Sequence, residues 1–166
     1  MRDPNFERTV ILLCQRDEDG AVGMVINRPH EITVGDVAGA AKVAPPRHEE
    51  EVTWWGGPVS PGTCFVLWRG RAEVGEGWTI GDEIAVSPAL ERLERLVQIG
   101  RHFHLVLGYS GWGEQQLESE IERGSWLYTE ADPSIVFDTP IEERYDRALG
   151  LLGLTASTVW MQPIDE

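Results

Sequence analysis

Residues 9–27, TVILLCQ-RDEDG-AVGMVIN, decide the fold class. Two apolar, β-branched runs of strand length flank a polar turn ending in Asp-Gly, the pattern of an antiparallel hairpin. Neither run alternates cleanly between apolar and polar positions, which predicts strands covered on both faces. Asn27-Arg28-Pro29 is expected to end the pairing, because proline has no N–H to give to a ladder.

Outward from this hairpin the elements follow no regular alternation. Thr33 can N-cap a short helix, with Asp36 favourable in its first turn. Residues 44–51 (APPRHEEE) read as a polar loop, and 52–55 as a strand broken by Gly56-Gly57-Pro58. Residues 63–68 and 78–86 supply further strands. Ser87-Pro88 opens a helix whose buried stripe is Leu90, Leu93, Leu96 and Val97, and Gly100 ends it. A strand over 102–107 leads into a glycine-rich turn, 108–113 (GYSGWG), and an acidic helix over 114–123 with Leu117 and Ile121 inward. Residues 125–129 and 134–137 are short strand candidates. Thr139-Pro140-Ile141-Glu142 has the form of a capping box, followed by a helix facing inward through Ile141, Tyr145, Ala148, Leu149 and Leu152. The expectation is one α+β domain over residues 1–166, without repeats or a linker.

The 166 residues carry 28 acidic and 14 basic side chains, a formal charge of −14, and Lys42 is the only lysine. That balance disfavours direct binding to a phosphate backbone, which needs clustered cations. No apolar run approaches the ~20 residues of a membrane span. Without a signal peptide the expected compartment is the cytoplasm. Cys14 and Cys64 lie in apolar stretches and read as core thiols rather than a disulfide.

Chemistry-bearing motifs are sparse. Gly108-Tyr109-Ser110-Gly111-Trp112 resembles the turn that exposes a hydrolase serine, but tryptophan stands where the last glycine belongs. No histidine follows Ser110 in the chain, as such a triad order would require. The glycines could cradle an anion, yet Glu114 and the acids after it already fill that electrostatic role. His102 and His104 share a strand face and could ligate one metal, but no third ligand is evident, and His30 and His48 sit in distant loops. Asp138 serves the turn before the capping box. No catalytic residue, metal or cofactor is assigned. Of seven tryptophans, Trp112 among glycines and beside Tyr109 is the one placed to wall a ligand site or anchor a partner.

Several blocks together resemble the AlgH/YqgE family of bacterial proteins. They are Asp3 to Val10 (DPNFERTV), Gly23 to Pro29 (GMVINRP), Gly56-Gly57-Pro58-Val59, the 108–113 segment with Gln116-Leu117-Glu118 and Glu120-Ile121, and Phe137-Asp138-Thr139-Pro140. The resemblance implies a curved, mostly antiparallel, bulged sheet with flanking helices, and carries an association with transcriptional regulation. Ser110 departs from it, alanine being typical there. It points to Asn27, Arg28, Pro29, Gly56, Gly57, Pro58, Tyr109, Gly111, Trp112, Gly113 and Gln116 as a shared binding surface, with the turns clustered at one end of the sheet. The partner, protein or small molecule, and the oligomeric state are left open. The leading function is a non-enzymatic binding or regulatory protein, and the alternative is a small-molecule enzyme, a hydrolase among them, at the glycine-rich turns. The family pattern also has an apolar strand ahead of Asp3, so the natural chain is expected to begin before Met1. Intact mass of the protein from its native source should exceed that of this sequence, and an equal mass would refute the expectation.

Overall fold

The computed structural model describes residues 8–88 and 90–154. The start of the Asp3 block and Trp160 lie outside them. Strands β1 (Ile11–Asp17) and β2 (Gly20–Val25) form the expected hairpin, closing at Asp17 and Gly20, with a bulge at Cys14. The β1–β2 pairing ends at Ile11–Val25, ahead of Asn27-Arg28-Pro29 as expected, and Pro29 then opens a new strand, β3 (Pro29–Thr33), which pairs antiparallel with β4 (Val52–Trp55). Proline is tolerated there because it is the first residue of an edge strand. Thr33 then caps α1 (Val34–Ala40) in a reciprocal box: the Asp36 N–H donates to Oγ1 of Thr33 at 3.1 Å, and the Thr33 N–H donates to the Asp36 carboxylate at 3.0 Å.

The remaining elements are β5 (Val59–Arg69), β6 (Trp78–Ile80), β7 (Ile84–Ser87), α2 (Leu90–Gln98), β8 (His104–Trp112), α3 (Gln116–Glu122), α4 (Pro133–Phe137) and α5 (Arg144–Leu151). Strand order is β1-β2-β8-β5-β7-β6, with β4 joining β8 and carrying β3. Strand β8 is the hub. One of its edges pairs with β5; the other is shared between β2, at residues 110–112, and β4, at 106–107. Among the described strands, only the β4–β8 pairing is parallel. The sheet curves nearly closed, and Trp78 on β6 donates its indole N–H to Gln15 on β1 at 3.3 Å. The fold is α+β, as the sequence predicted.

Three expectations change. Residues 108–112 of the expected turn are strand, the end of β8. Gly108, at φ 76°, kinks β8 without reversing it, so Val106 and Tyr109 pack on the same apolar cluster despite odd spacing. The chain turns only at Gln115, φ 57°. Residues 134–137 are helical, because Asp132 accepts the Ser134 N–H at 2.9 Å and Pro133 occupies the first turn. Three apolar residues cannot reveal a period, and the Asp-Pro-Ser start outweighs the β-branched character of Ile135 and Val136. Residues 125–129 form no strand; Trp126 donates to Glu120 instead, at 2.9 Å. Thr139 closes α4, donating to the Ser134 carbonyl at 2.9 Å, and a 3-10 turn (Ile141–Glu143) intervenes before α5.

Helices cover the sheet in three places. Leu12, Met24, Ile26, Trp54, Phe65, Leu67 and Val106 pack with Ile135 and Val136 of α4. Val66, Trp68, Ala85 and Leu105 pack with Val34 of α1 and Leu93 and Leu96 of α2. Ala21 and Trp112 pack with Leu117 of α3.

The sheet has no clearance where β4 ends. A Cβ on Gly56 would stand 2.3 Å from the Gly108 carbonyl oxygen, and one on Gly57 2.2 Å from that of Tyr109. Gly56→Ala should therefore destabilise the fold by about 3 kcal/mol or more. Gly39, in α1 with open space around it, is the contrasting site. Gly39→Ala should stabilise by about 0.5–1 kcal/mol. Urea unfolding of both variants checks the pair.

Candidate functional site

The crossing of β4 over β8 gathers several of the predicted surface residues. The Gly56 N–H donates to Leu107 O at 2.8 Å, and its carbonyl accepts the Val25 N–H at 2.9 Å. Gly56 thus joins β8 to β2. Ser110 is fully buried and donates its hydroxyl to the Gly56 carbonyl at 3.1 Å. A hydroxyl held this way is a structural donor, not an exposed nucleophile. Asn27 ties the segment before β1, accepting the Val10 N–H at 2.8 Å and donating to Arg8 O at 2.9 Å.

Arg28 comes to the same end, since its carbonyl accepts the Trp55 N–H at 2.9 Å and its guanidinium stands 5.5 Å from the Trp55 ring centre. Pro29 lies opposite Trp54, and Pro58 is exposed just past Gly57. Tyr109 pairs with Val59 and sits edge-on to Phe65, 6.1 Å between ring centres. Trp112 does not join this group. It is 7% exposed and packs against Ala21, Leu117 and Trp126, whereas Tyr109 packs on the cluster of the opposite face. Gly111 is exposed opposite Val22, and Gly113 donates its N–H to the Gln116 side chain at 2.9 Å. Asn27, Gly56, Gly57, Trp112 and Gln116 hold the fold; Arg28, Pro29 and Pro58 present a surface.

A second constellation escaped the sequence reading. Arg144 is 3% exposed. It donates to the carbonyls of Thr139 and Val136, each at 2.9 Å, and of Ile26, and its guanidinium lies 4.3 Å from the Trp54 ring centre. Burial pulls its pKa down to about 10, offset in part by Glu142, so it stays a cation at neutral pH. Its position in the sequence was a signal: three residues after Ile141 and four before Ala148, it falls within the apolar stripe of the helix.

Beside it, His104 stacks on Trp54 at 4.4 Å and faces Phe137 at 6.0 Å. Burial, reinforced by the charges of His102, Arg144 and His48, drives its pKa down to about 3, and its buried Nε2 has no hydrogen-bond partner among the described residues. The His102 ring is 4.8 Å from that of His104 and 4.2 Å from that of His48. The expectation of a distant His48 is corrected here. The first N–H groups of α1 take the 44–51 loop as their acceptor, Val34 N donating to Glu51 O and Gly35 N to Glu49 O at 2.8 Å each. That fixes the loop, and with it His48 and Glu51, against His102. Glu51 pairs with His102 Nε2 at 3.0 Å, and the three side chains bring one ligand atom each within 4.8 Å of one another. Cys14 and Cys64 are free, and burial pushes both thiols up to about 12, so they are protonated and inert as nucleophiles.

Residues 1–157 match the AlgH-like family, DUF179. The chain belongs to that family. It is 36% identical over 162 residues to a UPF0301 protein of Pseudoalteromonas translucida, covering 95% of this chain and 88% of the relative. A UPF0301 protein of Burkholderia multivorans is 41% identical over 171 residues, covering 96% and 86%. The solution structure of the AlgH protein from Pseudomonas aeruginosa superposes with a TM-score of 0.78 at 33% identity, covering 98% of this chain and 88% of that one. A Corynebacterium diphtheriae protein, DIP2367, shares the fold at a TM-score of 0.70 and 20% identity, covering 89% and 81%. This AlgH-like chain has no described helix long and apolar enough to cross a membrane.

The buried histidine sets a pH dependence. The folded pKa of His104 lies below the ~6.5 of an unfolded imidazole. The unfolded chain therefore takes a proton that the fold refuses, and stability falls as pH drops from about 6.5 toward 3, by ~1.4 kcal/mol per unit for one such site. His48, also lowered by burial, acts in the same direction. His104→Phe should flatten the stability profile between pH 6 and 4 without abolishing its slope, measured by urea unfolding across that range.

Proposed function

We propose that this AlgH-like chain is a non-enzymatic binding protein of the cytoplasm that acts on a protein partner, and that any effect on transcription is exerted through that partner rather than by gripping DNA. The observation that carries this reading is the pairing of Arg28 with the half-buried Trp55 at the open end of the sheet, rimmed by exposed Pro29, Pro58 and Val59. Arginine and tryptophan beside small apolar side chains are the composition of protein-interface anchors. The charge of −14 supports the second half of the proposal, because a polyanion is repelled by such a surface. The hydrolase alternative is weakened by the burial of Ser110 and by the placement of Tyr109 and Trp112 in clusters on opposite faces.

Photocrosslinking and DNA titration test the two halves. A photoreactive residue placed at Pro29 or Pro58 in cells should yield discrete protein adducts that the same residue at fully exposed Val74, on a remote connection, does not. Identical adduct patterns at all three positions would remove the assigned surface. Labelled genomic DNA, followed by anisotropy, should show no saturable binding at physiological salt; saturable binding there would make any regulation direct and overturn the reading.

A further inference from the structure

We propose that His48, Glu51 and His102 form a binding site for a divalent first-row transition ion of the Zn²⁺ class. Two imidazoles and one carboxylate are a donor set that Zn²⁺ takes in open, three-ligand sites, leaving a fourth position to solvent or a further ligand. The arrangement comes from two separate parts of the chain. His48 and Glu51 are three apart on a tight turn held by the Glu51 N–H donating to His48 O at 3.0 Å, which brings both side chains to one side. His102 arrives on the segment between α2 and β8, its ring 4.2 Å from that of His48.

One ligand atom from each lies within 4.8 Å of the others. Bonds of about 2.0–2.1 Å in a tetrahedral shell set ligand atoms about 3.3 Å apart. Glu51 and His102 already meet at 3.0–3.2 Å, so closure asks for a small movement between His48 and that pair. The side chains of Glu51 and His102 are about half exposed and can supply it.

A surface ion pair accounts for Glu51 and His102, while His48 is held beside them by a hydrogen bond to the Phe103 backbone and by edge-on packing on the Phe103 ring, 4.6 Å between centres. The His48 Nε2 itself is buried and has no hydrogen-bond partner among the described residues, a costly state for a ring nitrogen and one that a metal relieves. Exposed Glu49 and Glu50 add negative field around the loop, which favours a dication. The nearby Arg101 guanidinium is directed elsewhere, donating to Arg69 O at 2.8 Å.

The test is a Zn²⁺ titration of the full chain in a chelator-buffered series, with Co²⁺ absorption as a second readout. Wild-type protein should bind one equivalent, give the visible bands of Co²⁺ held in a low-coordinate site, and gain melting temperature with saturating Zn²⁺. His102→Ala and Glu51→Gln, both at exposed positions, should keep the metal-free melting temperature yet lose at least tenfold in affinity and the Co²⁺ bands. Glu118→Gln on acidic α3 should bind as wild type does. Binding that is equal in wild type and His102→Ala, or that falls no more in Glu51→Gln than in Glu118→Gln, would show only the diffuse attraction of an acidic surface and overturn the proposal.

Discussion

The close contact of Gly56 and Gly57 with the backbone of β8 is the constraint on which the rest of the sheet depends. Strand β8 offers one edge to two partners, β2 and β4, and Gly56 stands where they meet, bonded to both β8 and β2. A side chain there would collide with the Gly108 or Tyr109 carbonyl. The glycines that drew notice in the sequence are therefore there for clearance. Their chemistry is steric, and the serine beside them takes part as a hydrogen-bond donor within the same junction.

Arg144 performs a related task at the same end of the sheet. A buried guanidinium satisfied by three carbonyls and an aromatic face fastens α4 and α5 to the end of β2. Such an arrangement is sensitive, since loss of the cation would leave several carbonyls buried without donors. It also shapes the surroundings of His104, whose neutral state follows from burial and from the positive charge close by. The packed junction, the buried cation and the uncharged imidazole form one continuous structure around Trp54. Outside it lie the Arg28–Trp55 pair at the end of the sheet and the His48–Glu51–His102 group on the loop over α1.

How much of this was legible in the chain varies with the range of the interaction. The β1–β2 hairpin, the Thr33–Asp36 cap, and the inward residues Leu93, Leu96 and Val97 of α2 and Leu117 and Ile121 of α3 follow from neighbours a few residues apart, and they appear as read. The strand proposed at 134–137 failed because its apolar run was too short to show a period, although the helix start was visible just ahead at Asp132-Pro133. Gly108 to Gly113 looked like a turn because glycine permits both a reversal and a kink. Only the pairing of β8 with β2 and β5 on its two sides selects the kink.

The candidate sites divide in the same way. Composition alone weighed against direct binding to a phosphate backbone, because net charge is additive along a chain whatever its fold. The resemblance to the AlgH/YqgE pattern placed Arg28, Gly56 and Tyr109 among positions of interest. That Trp112 faces away from Tyr109, that Arg144 is buried, and that His48 and Glu51 reach His102 were decided by tertiary structure. Each depends on contacts between segments many residues apart, such as the carbonyls of Glu49 and Glu51 meeting the first N–H groups of α1. Local sequence sets what a segment can form; which side chains then share a space is set by the backbone hydrogen bonds that distant segments must satisfy in one another once water is excluded.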